Sequence, residues 1–559
     1  MSETFEGERE AFENASLKTK IMKDFKTLGV MIDLSRNAVM TVDAMKRFTK
    51  LLKRMGYNTL LLYMEDTYFT ESDPYIGYMR ARYTAEELRE IDEYAASLHM
   101  EVIPCIQTLA HLKSVNKWNQ YPKDTGDVLL VGDEKTYELI DRLLCYFASI
   151  FRSRRIHVGM DEAGELGRGK YLDLHGYEDR LTVMKKHLER VNELCKKHDL
   201  QPMIWSDMIF SAGNGGSHIV GRQELPRELL KVCPKNVIPV HWDCWGRNPE
   251  GYQAMLANHR QFSSKTWFAG CIWSRTGGVP HNGYSIEIGR AAIDGCRAEG
   301  CRNIFFCLWG DDGAECSHYA CLPALFYLAQ YAKGVTDGDV IKEKFKRLVG
   351  IDFDDFMLID SPNYIAGNET DAASPCNPSK YMLYSDPFNG FLDFTVSEGG
   401  NERYAEMAER LRAVARKSRR YGYLFETEAC LCEVLAVKYE LGVKTRWSYH
   451  KKRKWDLLLY GSRDYTYLPA LIRKYGDALE KQWMAENKTC GFDVQEIRLA
   501  GLIARVESCR RRLLELTDGK LDRIEELECE ILPFGGYKKG ESILYNTYRD
   551  TVTSCVFTQ

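Results

Sequence analysis

Two adjacent carboxylates, Asp161 and Glu162, follow Arg155-Ile156-His157-Val158-Gly159-Met160, a short strand pattern that stops at a glycine. Burying like charges side by side is costly unless they have partners or chemistry to perform. The residues beyond, Ala163-Gly164-Glu165-Leu166-Gly167-Arg168-Gly169, make a small, glycine-rich loop that leaves the space above the pair open. Carboxylates presented in this way are suited to general acid and base catalysis. The local alternative is a turn at Asp161 and a helix cap at Glu162.

The pair needs a scaffold, and the chain alternates strand and helix from about residue 26. Leu28–Asp33, Thr59–Tyr63, Met100–Gln107, Ile156–Val158, Pro202–Trp205, Val237–Trp242, Trp267–Trp273 and Asn303–Trp309 read as eight strands. Amphipathic stretches separate them. Thr41 to Met55 places Met45, Phe48, Leu52 and Met55 on one face and ends at Gly56, and Thr84-x-x-Glu87 is a capping box. Further helices are expected near 135–150, 182–198, 227–232, 251–260, 287–298 and 319–332. Continuously apolar strands between such helices imply a parallel sheet covered by helices, and eight units fit a (β/α)8 TIM barrel over 26–335. No Gly-x-Gly-x-x-Gly follows the first strand, which argues against a doubly wound sheet. Residues 1–25 form an N-terminal segment, and 336–559 a mostly helical C-terminal domain with helix patterns at 337–348, 402–421, 424–448, 464–488 and 493–529. The heptad-like run from Leu499 to Leu527 is compatible with a homodimer, or with an ordinary core-facing stripe.

In such a barrel the strand C-termini converge on one face. Those ends carry Asp33-Leu34-Ser35-Arg36, Glu65-Asp66, Gln107 to His111, Asp161-Glu162, Trp205-Ser206-Asp207, His241-Trp242-Asp243-Cys244-Trp245, Trp273-Ser274-Arg275 and Trp309 to Glu315. The chain has only 10 tryptophans, yet four consecutive strand ends carry at least one. Indole faces beside carboxylates suit sugar rings, whose C–H faces stack on aromatics while their hydroxyls bond to acids. A carbohydrate pocket follows, with the two carboxylates in it.

His157-Val158-Gly159-Met160-Asp161-Glu162 resembles the His-x-Gly-(Gly/Ala)-Asp-Glu signature of family 20 glycoside hydrolases, the β-N-acetylhexosaminidases. Gly29 to Arg36 is similar to that family's first-strand motif, and Ile103 to His111 to its third-strand segment ending in histidine. The branch most alike has a barrel with no preceding β-domain and a helical C-terminal extension. The resemblance implies an exo-acting enzyme that retains configuration, with the substrate's 2-acetamido oxygen as nucleophile. Glu162 would be general acid and then base, and Asp161 would accept from the acetamide N–H. His111 would hold or polarise the carboxylates, or be a satisfied structural histidine. His157 would be structural. Trp205, Trp242, Trp273 and Trp309 would wall the pocket, with Arg36, Glu65, Asp243 and Glu315 as hydroxyl-binding candidates. No metal or organic cofactor is required.

Three departures bear on these roles. Met160 replaces Gly or Ala, and Leu28 stands where many members have an arginine. The tyrosine that bonds the acetamide oxygen has no clear counterpart; His241, in His241-Trp242-Asp243, or Tyr68 are the candidates.

The rest of the composition narrows the setting. With 45% hydrophobic residues in 559, the chain can build a large core, and a net charge of −4 with interspersed signs points away from nucleic acid. The acidic, polar N-terminus has no apolar signal region, and no apolar run reaches membrane-spanning length. Scattered cysteines such as Cys105, Cys244, Cys271 and Cys307 read as buried thiols in a reducing compartment, so a cytoplasmic protein is expected. Cys430-x-Cys432 lacks the partners of a zinc site. The expected partner is an oligosaccharide or glycoconjugate containing N-acetylhexosamine, with neither nucleic acid nor membrane. A glycosidase using Asp243 or Glu315 as nucleophile, and a sugar-binding protein without turnover, are the rival readings.

Overall fold

The computed structural model describes residues 25–211, 217–365 and 375–556; the N-terminal segment falls almost wholly outside them. Eight parallel strands close into a barrel in chain order. They are β1 Thr27–Asp33, β2 Thr59–Glu65, β3 Glu101–Ile106, β4 Arg155–His157, β5 Gln201–Trp205, β6 Ile238–Trp242, β7 Trp267–Ile272 and β8 Asn303–Leu308. The ring closes where Thr27 pairs with Asn303 and Ile32 with Leu308.

Strands buried on both faces need apolar residues at every position, and β1 and β2 are buried along their whole length. Successive side chains still point to opposite sides. Met31, Leu61, Tyr63, Ile103, Cys105, Met203, Trp205, Val240, Ala269, Phe305 and Cys307 fill the lumen. Their neighbours, such as Val30, Leu62 and Phe306, pack under the outer helices. This parity decides which residues at the strand ends face the site.

The first helix, Val42–Met55, starts where Thr41 accepts from Ala44 N and ends at Gly56, whose φ of 113° is open to glycine. The Thr84–Glu87 capping box forms as expected at the head of Ala85–Ser97. Three expected helices differ. The stretch near 227–232 is one 3₁₀ turn, Leu229–Lys231, because Pro226 and Pro234 leave too little chain for a stable helix. The 424–448 pattern divides into Gly422–Lys438 and Leu441–His450. The 493–529 pattern stops at Thr517, before Gly519 at φ 75°.

The C-terminal helices include Gly400–Lys417, Gly422–Lys438, Tyr465–Glu486 and Asp493–Thr517. Leu499, Leu502, Val506, Cys509 and Leu513, the heptad-like stripe, are buried in this chain's own core, so the stripe is not a free seam. The cysteine expectation also needs one correction. Cys244 and Cys271 are disulfide-bonded, with Cα atoms 4.9 Å apart, because the loop after β6 folds back over β7; the other sixteen form no disulfide. Among the described residues no helix is long and apolar enough to cross a membrane.

Candidate active site

The chain beyond β4 turns sharply, with Gly159, Met160 and Glu162 at φ 72°, 75° and 47°. Left-handed backbone at residues other than glycine costs on the order of 1–3 kcal/mol each and persists only where the surroundings enforce it. Here Met160 N donates to Gln107 Oε1 at 3.2 Å, and Glu162 N to Asp207 Oδ2 at 2.9 Å. The turn splays the acids apart. The Asp161 side chain is 10% exposed and faces the barrel axis, whereas that of Glu162 is 58% exposed at the mouth.

Asp161 is held from two sides. Gln107 Nε2 donates to its Oδ1 at 2.8 Å, and His111 Nε2 lies 3.3 Å from its Oδ2 and 3.4 Å from Glu162 Oε2. The same Gln107 amide donates to Tyr63 OH at 2.9 Å, and Tyr63 donates to Glu65 Oε1 at 3.0 Å. Glu65 in turn faces Arg36 Nη1 at 3.2 Å, and Arg36 lies 3.3 Å from Asp33. One polar network thus joins β1, β2, β3 and β4.

The network sets the charges. Burial alone would lift Asp161, but the His111 charge and the bonds from His111 and Gln107 bring it below the usual carboxylate range. Burial would likewise lower His111, but Asp161, Glu162 and Glu65 raise it to about 11, so it is an imidazolium. Glu65 is pushed up to about 7, by burial first, with Arg36 and His111 opposing. Asp207 is also pushed up to about 7, by burial and then by the charges of Asp161 and Glu162, while the Glu162 N–H and the Trp242 side chain pull it back. His157 is structural, as expected. Burial drops it to about 3, and its Nδ1 accepts from Gly159 N at 3.2 Å.

A pocket over the barrel mouth brings together Arg36, His111, Asp161, Glu162, Trp205, Trp242 and Trp309 of the expected set. It opens, past Arg36, Glu65, His111 and Glu162, into a groove of about 1060 Å³. Met160, whose bulk replaces a small residue, is buried in the outer core and leaves the acids uncrowded. No arginine stands at Leu28, but Arg36 brings a guanidinium to the pocket, 5.3 Å from the Tyr63 ring and 5.7 Å from that of Trp309.

Glu65 lines the groove only, and five expected positions line neither cavity. His241 has the opposite parity to Trp242 and packs outside the barrel against His259 and Phe268. Asp243 is spent on its own loop, accepting from Trp245 N at 2.7 Å and Gly246 N at 3.0 Å. Trp273 is fully buried, donating to Cys244 O at 2.8 Å and packing edge-on against Tyr284. Glu315 turns into the C-terminal helices, 2.8 Å from Arg498 and 3.3 Å from Lys380. Tyr68 packs on Phe147 in the outer core and does not reach the pocket.

Sequence reasoning missed Tyr63, Gln107, Trp245, Arg275 and Asp311 as wall or support residues, and Asp207 behind the acids. Parity was the usable signal for three. Tyr63 follows Leu61, Gln107 follows Cys105, and Asp311 follows Cys307 and Trp309, each at spacing two on the lumen side. Arg275 pairs with Asp311 at 2.9 Å and stacks between Trp245 and Trp273, which no local pattern announces.

Comparison with known proteins places two models of one family along the chain. The family model described as "Glycosyl hydrolase family 20, catalytic domain" matches residues 25–268. A second, described as "Glycoside Hydrolase 20C C-terminal domain", matches 354–545. Human (Homo sapiens) Hexosaminidase D is 25% identical over 240 residues, 38% of this chain and 44% of that protein. The Bos taurus protein of the same name is 24% identical over 239 residues, 39% of this chain and 63% of its own length. The match therefore spans less than two thirds of either relative. Among solved structures, the exo-β-N-acetylglucosaminidase of Vibrio harveyi is 16% identical with a TM-score of 0.45, covering 60% of this chain and 58% of that one. The β-N-acetylhexosaminidase of Bacteroides fragilis is 17% identical with a TM-score of 0.46, covering 58% and 70%. With one family model on the barrel and its companion on the helical region that follows, the chain belongs to glycoside hydrolase family 20.

Proposed function

We propose that the protein is an exo-acting β-N-acetylhexosaminidase that removes terminal β-linked GlcNAc or GalNAc by a retaining, substrate-assisted route. The observation that carries this reading is the division between the two acids: Asp161 is ionised and enclosed, Glu162 exposed at the mouth. Glu162 protonates the glycosidic oxygen as the bond to C1 breaks, and the acetamide carbonyl oxygen closes on C1 to give an oxazolinium. Asp161 accepts from the acetamide N–H and balances the positive charge. Glu162, now a carboxylate, takes a proton from the water that opens the ring at C1. Trp205, Trp242, Trp245 and Trp309 supply the apolar walls, and Arg36, Glu65 and Asp311 the hydroxyl partners.

A protein nucleophile is less well supported. It would have to lie about 5–5.5 Å from the acid, and both earlier candidates are bound elsewhere, Asp243 to its loop and Glu315 to two cations. The substrate is then a small N-acetylhexosamine-terminated oligosaccharide or glycoconjugate. The sixteen cysteines outside the disulfide support a cytoplasmic setting.

Initial rates on aryl β-GlcNAc, β-GalNAc and β-glucoside test the reading. Turnover of an N-acetyl sugar without the glucoside is expected. Comparable cleavage of the glucoside would show the acetamide to be dispensable and overturn it.

A further inference from the structure

Asp207 is a third carboxylate at the acids, and nothing in the reaction scheme uses it. It begins the short helix Asp207–Ser211 directly after β5 and is 6% exposed. A buried carboxylate at a helix start ordinarily serves that helix, accepting from the N–H groups of its first turn. Here it does not: among the described residues, Ile209 N donates to Ser206 O instead. The Asp207 carboxylate reaches across to the neighbouring strand end, where Oδ2 accepts from Glu162 N at 2.9 Å.

That N–H belongs to the one residue that needs its backbone fixed. Glu162 is left-handed at φ 47°, in a turn where Gly164 N donates to Glu162 O at 2.7 Å. Among the described residues its side chain, more than half exposed, makes an ion pair with His111 at 3.4 Å. The direction of the carboxyl therefore depends on how the peptide is held. Trp242, a wall of the pocket, is among the groups that lower the Asp207 carboxyl against its burial. Asp207 thus spends its one hydrogen bond among the described residues on the peptide of the acid.

We infer that Asp207 is a positioning residue that holds the Glu162 peptide so that its carboxyl points at the leaving-group oxygen. The inference rests on the reading of Glu162 as general acid. A misdirected acid harms substrates in proportion to their need for protonation. Phenyl β-GlcNAc, with a poor leaving group, needs it; 2,4-dinitrophenyl β-GlcNAc, with a good one, hardly does. A change that merely reduces the folded fraction lowers both rates by the same factor.

The experiment measures kcat and KM of wild type, Asp207→Ala and Asp207→Asn on both aryl glycosides, with melting temperatures alongside. The expected result for Asp207→Ala is a kcat loss of roughly tenfold or more on the phenyl glycoside, and a much smaller loss on the dinitrophenyl one. Asp207→Asn, which keeps an oxygen acceptor, recovers part of the phenyl rate. Should Asp207→Ala not fold, the asparagine variant carries the test through the same ratio of losses. Equal losses on the two substrates, or none, overturn the inference. A wild type inactive on both would instead defeat the underlying assignment of function.

Discussion

His111 holds its proton because three carboxylates, those of Asp161, Glu162 and Glu65, outweigh its burial. The dependence runs both ways, since the imidazolium is the leading charge holding Asp161 below its usual range. Replacing it with a neutral side chain leaves Asp161 buried without that cation, and its pKa must rise. In His111→Gln the acid limb of the kcat/KM profile is therefore expected to move to higher pH by about one to three units. An unmoved limb would show that His111 does not set the ionisation of Asp161. Stability follows the same linkage. The histidine's value rises from 6.5 to about 11 on folding, so its stabilising contribution is complete below pH 6.5 and is lost as pH rises through 11. The Asp161 contribution, from a lowered value, is present above the ordinary carboxylate value of 3.8 and lost as pH falls further. The gap in melting temperature between wild type and variant should be widest between those limits, from pH 3.8 to 6.5. These residues were legible because a short motif names them. Their charge states were not, because each depends on partners from other strands.

Among the elements, β4 shows how a strand end becomes a site. Gly159 lies at φ 72°, and a Cβ there would run into the Gln107 amide that bonds Asp161 and the Met160 peptide. The glycine therefore serves close approach as well as the turn. Gly159→Ala is expected to displace Gln107, lower kcat by roughly tenfold or more, and lower the melting temperature by several degrees through left-handed strain on the order of 1–3 kcal/mol. Full activity in that variant would show that the Gln107 bond to Asp161 is dispensable. All eight strands were readable to within about two residues, since apolar runs between amphipathic helices leave little choice of element. What failed was orientation. His241 was a candidate for the missing tyrosine, but one residue along the strand from Trp242 is the opposite side of the barrel. Asp311 was passed over for Glu315, although its spacing from Trp309 keeps it on the pocket side.

At the scale of the molecule, the helical region is a structural part of the pocket's far wall. The loop after β8 carries Asp311 into the pocket, and the residues just beyond it are gripped from outside the barrel. Lys380 lies 2.7 Å from Asp312 and 3.3 Å from Glu315, while Arg498 lies 2.8 Å from Glu315 and donates to Asp312 O at 2.8 Å. Gln495 Nε2 donates to Gly313 O at 2.9 Å, and Tyr548 N to Asp312 Oδ2 at 2.7 Å. The loop after β7 is tied in the same way, with Asn546 Nδ2 donating to Arg275 O at 3.0 Å and Asn377 Nδ2 to Thr276 O at 2.8 Å. Arg275 and Asp311, which pair across the pocket, are thus both anchored by residues far along the chain. Such anchors are invisible in sequence, because nothing local marks Lys380 or Arg498 as partners of a loop in the barrel. Arg498→Met tests the arrangement. Removing one partner from this buried cluster leaves Glu315 short of a cation, at a cost of about 3–5 kcal/mol. If the helices only prop the barrel, the melting temperature falls while kcat and KM, measured well below it, stay as in wild type. If they shape the pocket, KM for the N-acetyl sugar rises as well, because Asp311 is no longer held against Arg275. The second outcome is expected, since the grip falls on the residue directly after Asp311.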